Sequence, residues 1–159
     1  MILLAVCLAV FMLLLDMTIV SSALADLQAS LGADLSDLQW VIDAYALPMA
    51  GLLLTAATLG DRLGRRRLYL VGMALFTTAS LGCALSGSAA MLIGVRAVQG
   101  TGGAILLAVS LPIIAAAYPQ ERRGGPIAIY GAVMGAGSAA VRYWADSLSP
   151  TSGGSRSSW

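Results

Sequence analysis

Thr58-Leu59-Gly60-Asp61-Arg62-Leu63-Gly64-Arg65-Arg66-Arg67 places four arginines, one aspartate and two glycines between two long apolar runs. Lipid cannot solvate a guanidinium or hydrogen-bond a turning backbone, so a stretch of this kind belongs in water or among headgroups. It reads as a loop where the chain leaves the bilayer between two spans. Basic loops between spans are common on the cytoplasmic side, and an anchor of that kind would account for the arginines with no further role.

The composition around it fixes the class. Of 159 residues, 58% are hydrophobic and only 11% charged, with a mean hydropathy of +0.85. A soluble domain carries roughly a quarter charged residues, so this is an all-α membrane protein by composition. The net charge of +1 gives no footprint for nucleic acid, and the bilayer is the expected partner. There is no histidine, and Cys7 and Cys83 both sit inside apolar runs. They are expected to be neither metal ligands nor a disulfide, and no metal or cofactor is expected. With no nucleotide-binding loop and no nucleophile–base set, an enzyme is not expected.

Apolar runs long enough to cross a ~30 Å core predict spans at about 2–24, 38–60, 68–85 and 89–117. A signal peptide would explain the first run only poorly, because it lacks a basic leader, is too long and is interrupted by Asp16. Between the first two spans, Ala25 to Asp37 holds three aspartates and no basic residue. It is expected to be an outer loop with a short amphipathic helix through Leu27, Leu31 and Leu35. Trp40 belongs at the headgroup level, Asp43 at the water-exposed mouth, and Pro48 can kink the second span.

Two charges lie inside spans, where they are expensive: Asp16 in the first and Arg96 in the fourth. Asp16 could serve only as a structural hydrogen-bonding group, and Arg96 could snorkel to the interface. Both sit about seven or eight residues from the outer ends of their spans, roughly 10–12 Å deep at 1.5 Å per residue. Opposite charges at one depth can neutralise each other across a bundle. The two proposed inner loops carry Arg62, Arg65, Arg66, Arg67, Arg122 and Arg123, while the outer loops carry no arginine. The N-terminus is therefore expected in the cytoplasm of a multi-pass cell (inner) membrane protein.

A fifth span opens at Pro126 but keeps its apolar character only to about Ala140, too short for a ~30 Å core. Gly131, Gly135 and Gly137 are expected to form a small-residue helix-packing face within it. Residues 141–159, with Arg142, Asp146 and a Ser/Gly-rich end, are expected to be a disordered tail outside the bundle.

The opening stretch resembles the loop between the second and third spans of major facilitator superfamily transporters, Gly-x-Leu-x-Asp-Arg-x-Gly-Arg-Arg. Leu59, Asp61, Arg62, Gly64, Arg65 and Arg66 fall on the pattern, and Ala57 stands where its first glycine would be. Leu15-Asp16-Met17-Thr18-Ile19-Val20-Ser21-Ser22-Ala23-Leu24-Ala25 is similar to the first span of the drug:proton antiporter branch with fourteen spans, Leu-Asp-x-Thr-Ile-Val-Asn-Val-Ala-Leu-Pro. Ser21, Ser22 and Ala25 depart from it. Arg96-Ala97-Val98-Gln99-Gly100-Thr101-Gly102-Gly103-Ala104 resembles that branch's fourth-span motif.

The resemblance covers about residues 1–140 and implies a partial amino-terminal bundle of four complete spans and a truncated fifth. It implies efflux of small hydrophobic or drug-like compounds in exchange for protons, by alternating access. Asp16, Arg96 and Gln99 would line the cavity and couple to protons. Gly60, Asp61, Arg62, Gly64, Arg65 and Arg66 would form a cytoplasmic gate, and Gly100 and Gly102 would pack helices. The fifth-span motif should continue Gly-Pro-x-x-Gly-Gly, and the codons from Val141 onward can restore it when displaced by one base. A frameshift after about Ala140 is therefore expected. These residues alone are expected to be inactive in transport, completed by a companion chain. The alternatives are a membrane remnant, a structural partner of another polypeptide, or a small oligomeric channel.

Overall fold

The computed structural model describes residues 2–31 and 34–148. Its helices are α1 (Ile2–Leu31), α2 (Leu35–Leu63), α3 (Arg65–Ala84), α4 (Ala89–Ala117) and α5 (Gly124–Leu148), with a short 3-10 turn at Gln120–Arg122. No strand occurs among the described residues. Among the described residues, four segments are long and apolar enough to cross a membrane: Ile2–Val20, Ser36–Leu63, Arg65–Ala84 and Ala89–Ala117. The chain is thus a multi-pass membrane bundle. Leu4, Leu54, Leu70 and Leu81 are each more than 60% exposed, as lipid-facing side chains should be and core leucines of a soluble domain should not.

Three helix ends differ from the sequence expectation. First, α1 runs on to Leu31, so the outer amphipathic helix is the end of the first span's own helix. Ala25 stands where the resembled pattern has proline, and Ala, Leu and Gln dominate to Leu31; nothing breaks the helix before Gly32. Second, the arginine stretch is no extended loop. Only Gly64 separates α2 from α3. Its φ of 95° is a conformation that glycine takes at no steric cost. The Gly64 amide donates to the Gly60 carbonyl, and the Leu68 amide donates to Gly64. Third, α5 continues to Leu148 instead of ending near Ala140. Residues 141–148 contain neither Gly nor Pro, so the backbone has no reason to stop until it nears Pro150. The rest of the expected tail, 149–159, lies outside the described residues.

The bundle is organised on α4. Both α2 and α3 pack on α4 far more than on each other, and α1 bridges α4 and α5. Close approach follows from glycines. A Cβ at Gly60 of α2 would lie 2.9 Å from Val109 Cγ1 of α4, and one at Gly72 of α3 would lie 2.7 Å from Ile105 Cγ2. One buried cluster joins Val6 and Val10 of α1 to Val109, Ile113 and Ile114 of α4 and Tyr130 of α5. Low numbers on α1 therefore meet high numbers on α4, which makes the two helices antiparallel. Four Ser and Thr hydroxyls within the spans are satisfied on their own helix. Thr18, Thr78, Thr101 and Ser110 each donate to the carbonyl four residues back.

α5 uses a different face from the expected one. Pro126, Tyr130, Val133 and Gly137 fall on one helical stripe and are the positions it buries or half-buries among the described side chains. A Cβ on Gly137 would collide with the Leu14 side chain of α1, whereas Gly131 and Gly135 have nothing within 4 Å among the described residues. The expected three-glycine packing face is corrected to Gly137 alone. The reason is angular: at about 100° per residue, Gly137 lies more than 100° around the helix from the other two.

Candidate functional site

Antiparallel packing brings Asp16 of α1 level with Arg96 of α4. Arg96 Nη1 donates to Asp16 Oδ2 at 2.6 Å, and Gln99 Nε2 donates to Asp16 Oδ1 at 2.8 Å. Arg96 and Gln99 are three residues apart on one helix, so their side chains share a face and can grip one carboxylate together. The Arg96 side chain is 4% exposed and that of Asp16 16%; Gln99 is fully buried. Desolvation at such a place is severe, and the pair persists because each charge removes the other's penalty while Gln99 occupies the second carboxylate oxygen. Cys83 of α3 adds a further layer, its thiol donating to Gln99 Oε1 at 3.4 Å.

Beside the pair is a cavity of about 340 Å³, which Asp16, Ile19, Val20, Cys83, Leu92 and Arg96 help to line. A smaller one of about 60 Å³ lies on the other side of Arg96, against Val41, Ile42 and Tyr45 of α2. The carboxylate is thus held in an apolar wall yet reachable from a void.

Sequence reasoning assigned Tyr45 no role. The structure buries it to 3% exposure, with its ring 5.6 Å from the Arg96 guanidinium carbon. The signal was present in α4. A Cβ on Gly100 would collide with the Tyr45 carbonyl oxygen, and one on Gly103 would lie 3.3 Å from the Tyr45 hydroxyl. Two glycines three apart cut a trough that an aromatic of the facing helix fills. Gly102 faces α3 instead, where its Cβ would lie 2.8 Å from the Phe76 amide nitrogen.

The second cluster lies at the other end of α4. Asp61 accepts from Arg65 Nε at 3.0 Å and from Arg65 Nη2 at 2.8 Å, spanning the Gly64 turn. Arg65 Nη1 also donates to the Pro112 carbonyl of α4 at 3.2 Å. Asp61 and Arg65 are 63% and 40% exposed, so the pair itself adds little stability, under about 1 kcal/mol. Its effect is positional: it pins the α2–α3 turn to α4. Gly60 is buried against α4, Arg62 is exposed, and Arg66 lines a cleft of about 330 Å³ with Ile2, Val6, Tyr69 and Ile113. Arg96 and Pro112 are about 24 Å apart along α4 at 1.5 Å per residue, so the two clusters are well separated along the bundle.

An all-helical bundle with membrane-length apolar helices, a buried acid–base pair and an arginine-rich helix junction defines a multi-pass membrane protein. The Major Facilitator Superfamily model matches residues 6–158, and the chain belongs to that family. It is 42% identical over 136 residues to "Multidrug resistance protein Stp" of Mycobacterium tuberculosis, covering 85% of this chain and 25% of that protein. It is 40% identical over 139 residues to "Methylenomycin A resistance protein" of Bacillus subtilis, covering 87% of this chain and 30% of that protein. "Tetracenomycin C resistance and export protein" of Streptomyces glaucescens is 41% identical over 138 residues, covering 87% and 26%. The chain thus spans between a quarter and a third of the length of these curated relatives.

Proposed function

We propose that this chain forms the amino-terminal part of a proton-coupled exporter of small hydrophobic compounds, seated in the cell membrane with its N-terminus in the cytoplasm. The observation that supports coupling most directly is the grip of Arg96 and Gln99 on Asp16 beside a cavity. A proton arriving at Asp16 cancels the carboxylate charge and loosens Arg96; its departure restores the pair. That gives the bundle two electrostatic states at one point, which is what alternating access needs from a coupling site. The Asp61–Arg65–Pro112 junction serves as the cytoplasmic gate, since breaking it frees the α2–α3 turn from α4. The resistance and export functions in the relatives' names support a hydrophobic, drug-like substrate.

Transport of this kind rocks two helical halves about a midplane site, and these residues supply four spans and part of a fifth. The chain by itself is therefore proposed to be inactive and to need further spans, from a companion chain or from the reading frame displaced by one base after about Ala140. The test is efflux of a hydrophobic fluorophore from cells expressing the chain alone and a version completed through that displaced frame. Only the completed protein should extrude the dye, and Asp16→Asn or Arg96→Ala should abolish proton-driven efflux while leaving membrane insertion intact. Efflux at the normal rate in both variants would return the pair to a structural role. A displaced frame encoding no apolar spans would favour a membrane remnant or a structural partner of another membrane polypeptide.

A further inference from the structure

Tyr45 is the one polar side chain at the site for which the coupling scheme has no use. Its hydroxyl is buried and finds no hydrogen-bond partner among the described residues, a cost that a leucine or methionine of similar bulk would not carry. Packing alone gives no reason to place a phenol there. Its ring, however, lies within cation–π distance of Arg96. Arg96 Nη1 holds Asp16, while Nε makes no hydrogen bond among the described residues.

The guanidinium therefore lies between a carboxylate and an aromatic face. The polar groups described around Asp16 are Arg96 and Gln99 of α4, Cys83 and Ser80 of α3, and Tyr45 of α2 beyond Arg96; no second acid is among these described residues. Once Asp16 is neutral, its oxygen can still accept from Arg96 but the counter-charge is gone, and the Tyr45 ring is the electron-rich face beside the cation. We infer that Tyr45 is a positioning residue: its ring is the second seat of Arg96, holding the guanidinium in place whenever Asp16 carries a proton. The Gly100–Gly103 trough fits this role, since it admits the ring to the flank of α4 where Arg96 emerges. The inference builds on the coupling reading for its purpose, but its geometry can be tested without transport.

Asp16→Asn stands in for the protonated acid. Unfolding of the full chain in mild detergent is followed by far-UV circular dichroism for Tyr45→Phe and Tyr45→Met, each with Asp16 and with Asn at that position. Tyr45→Met should raise the unfolding constant about tenfold or more beyond its effect with Asp16 when the acid is replaced, because the desolvated cation then has neither a counter-charge nor an aromatic face. Tyr45→Phe keeps the ring and should differ little between the two backgrounds. Adding Arg96→Leu removes the cation and should abolish the background dependence of Tyr45→Met. If Asp16→Asn does not fold, Asp16→Gln takes its place as the neutral side chain, and the same widening gap is expected. An equal penalty in both backgrounds, or Tyr45→Phe as damaging as Tyr45→Met, would overturn the second seat. Because no efflux enters the measurement, that result would leave the coupling reading to its own test.

Discussion

Gly100 of α4 lies against the backbone of Tyr45 in α2, so close that a Cβ built on the glycine would collide with the tyrosine carbonyl oxygen. A side chain could rotate away from such a collision, but the backbone of a packed helix cannot. The contact fixes how near α2 comes to α4, and with it how near the Tyr45 ring comes to Arg96.

Gly100→Val should therefore destabilise the bundle at or above the usual overpacking range of about 1–3 kcal/mol. Gly94 and Gly51 lie on helices with nothing within 4 Å of an added Cβ. Alanine at either should be neutral or stabilising by up to about 1 kcal/mol, since glycine costs that much inside a helix. Thermal unfolding in detergent separates the cases. A Gly100→Val chain as stable as Gly94→Ala would mean that α2 and α4 do not approach this closely.

The Asp16–Arg96 pair should show strong non-additivity. Asp16→Ala or Arg96→Ala alone leaves one charge unpaired in an apolar wall and should cost about 3–5 kcal/mol. Asp16→Ala combined with Arg96→Leu removes both charges and should recover much of that loss. Unfolding of the two single variants and the double variant measures the coupling. Simple addition of the two single effects would show that the residues do not pair.

Asp16 and Arg96 were legible because charge inside an apolar run is rare, and residue counting placed both at one depth. Their partners were harder to see. Tyr45 near a span end is indistinguishable in sequence from an interfacial aromatic, and only the facing trough at Gly100 and Gly103 gives it a location. The junction at Gly64 was also hidden, because arginines mark where a chain meets water without saying whether it is coiled or helical there. Leu and Arg are good helix formers, so both helices run into the charged stretch and one glycine makes the whole turn. In α5 the spacing of Gly131 and Gly135 suggested a packing face, but spacing does not reveal which side of a helix has a neighbour.

At the junction, backbone conformation should matter more than charge. Gly64→Val puts a β-branched residue at φ 95° and should cost about 1–2 kcal/mol or more from strain alone. Asp61→Asn removes only an exposed pair and should cost under about 1 kcal/mol. The same unfolding assay ranks them. A larger loss for Asp61→Asn would show that the pair, and not the glycine turn, holds α2 to α3.

The last prediction concerns the two sides of α5. On one side Gly137 admits Leu14 of α1; on the other Gly131 and Gly135 face open space among the described residues. Gly137→Leu must push α5 off α1, uncovering Tyr130 as well as Leu14, and should destabilise the chain by about 2 kcal/mol or more. Gly131→Leu adds a lipid-facing side chain and replaces a poor helix former, so the chain itself should tolerate it or gain slightly. In a transporter completed by further spans, the same Gly131→Leu change becomes informative. A small-residue stripe lets a neighbouring helix come close, and a leucine there would block one. Normal stability of the Gly131→Leu chain with impaired efflux in the completed protein would show that this face awaits a helix from beyond these residues. Full efflux with Gly131→Leu would show that it faces lipid throughout.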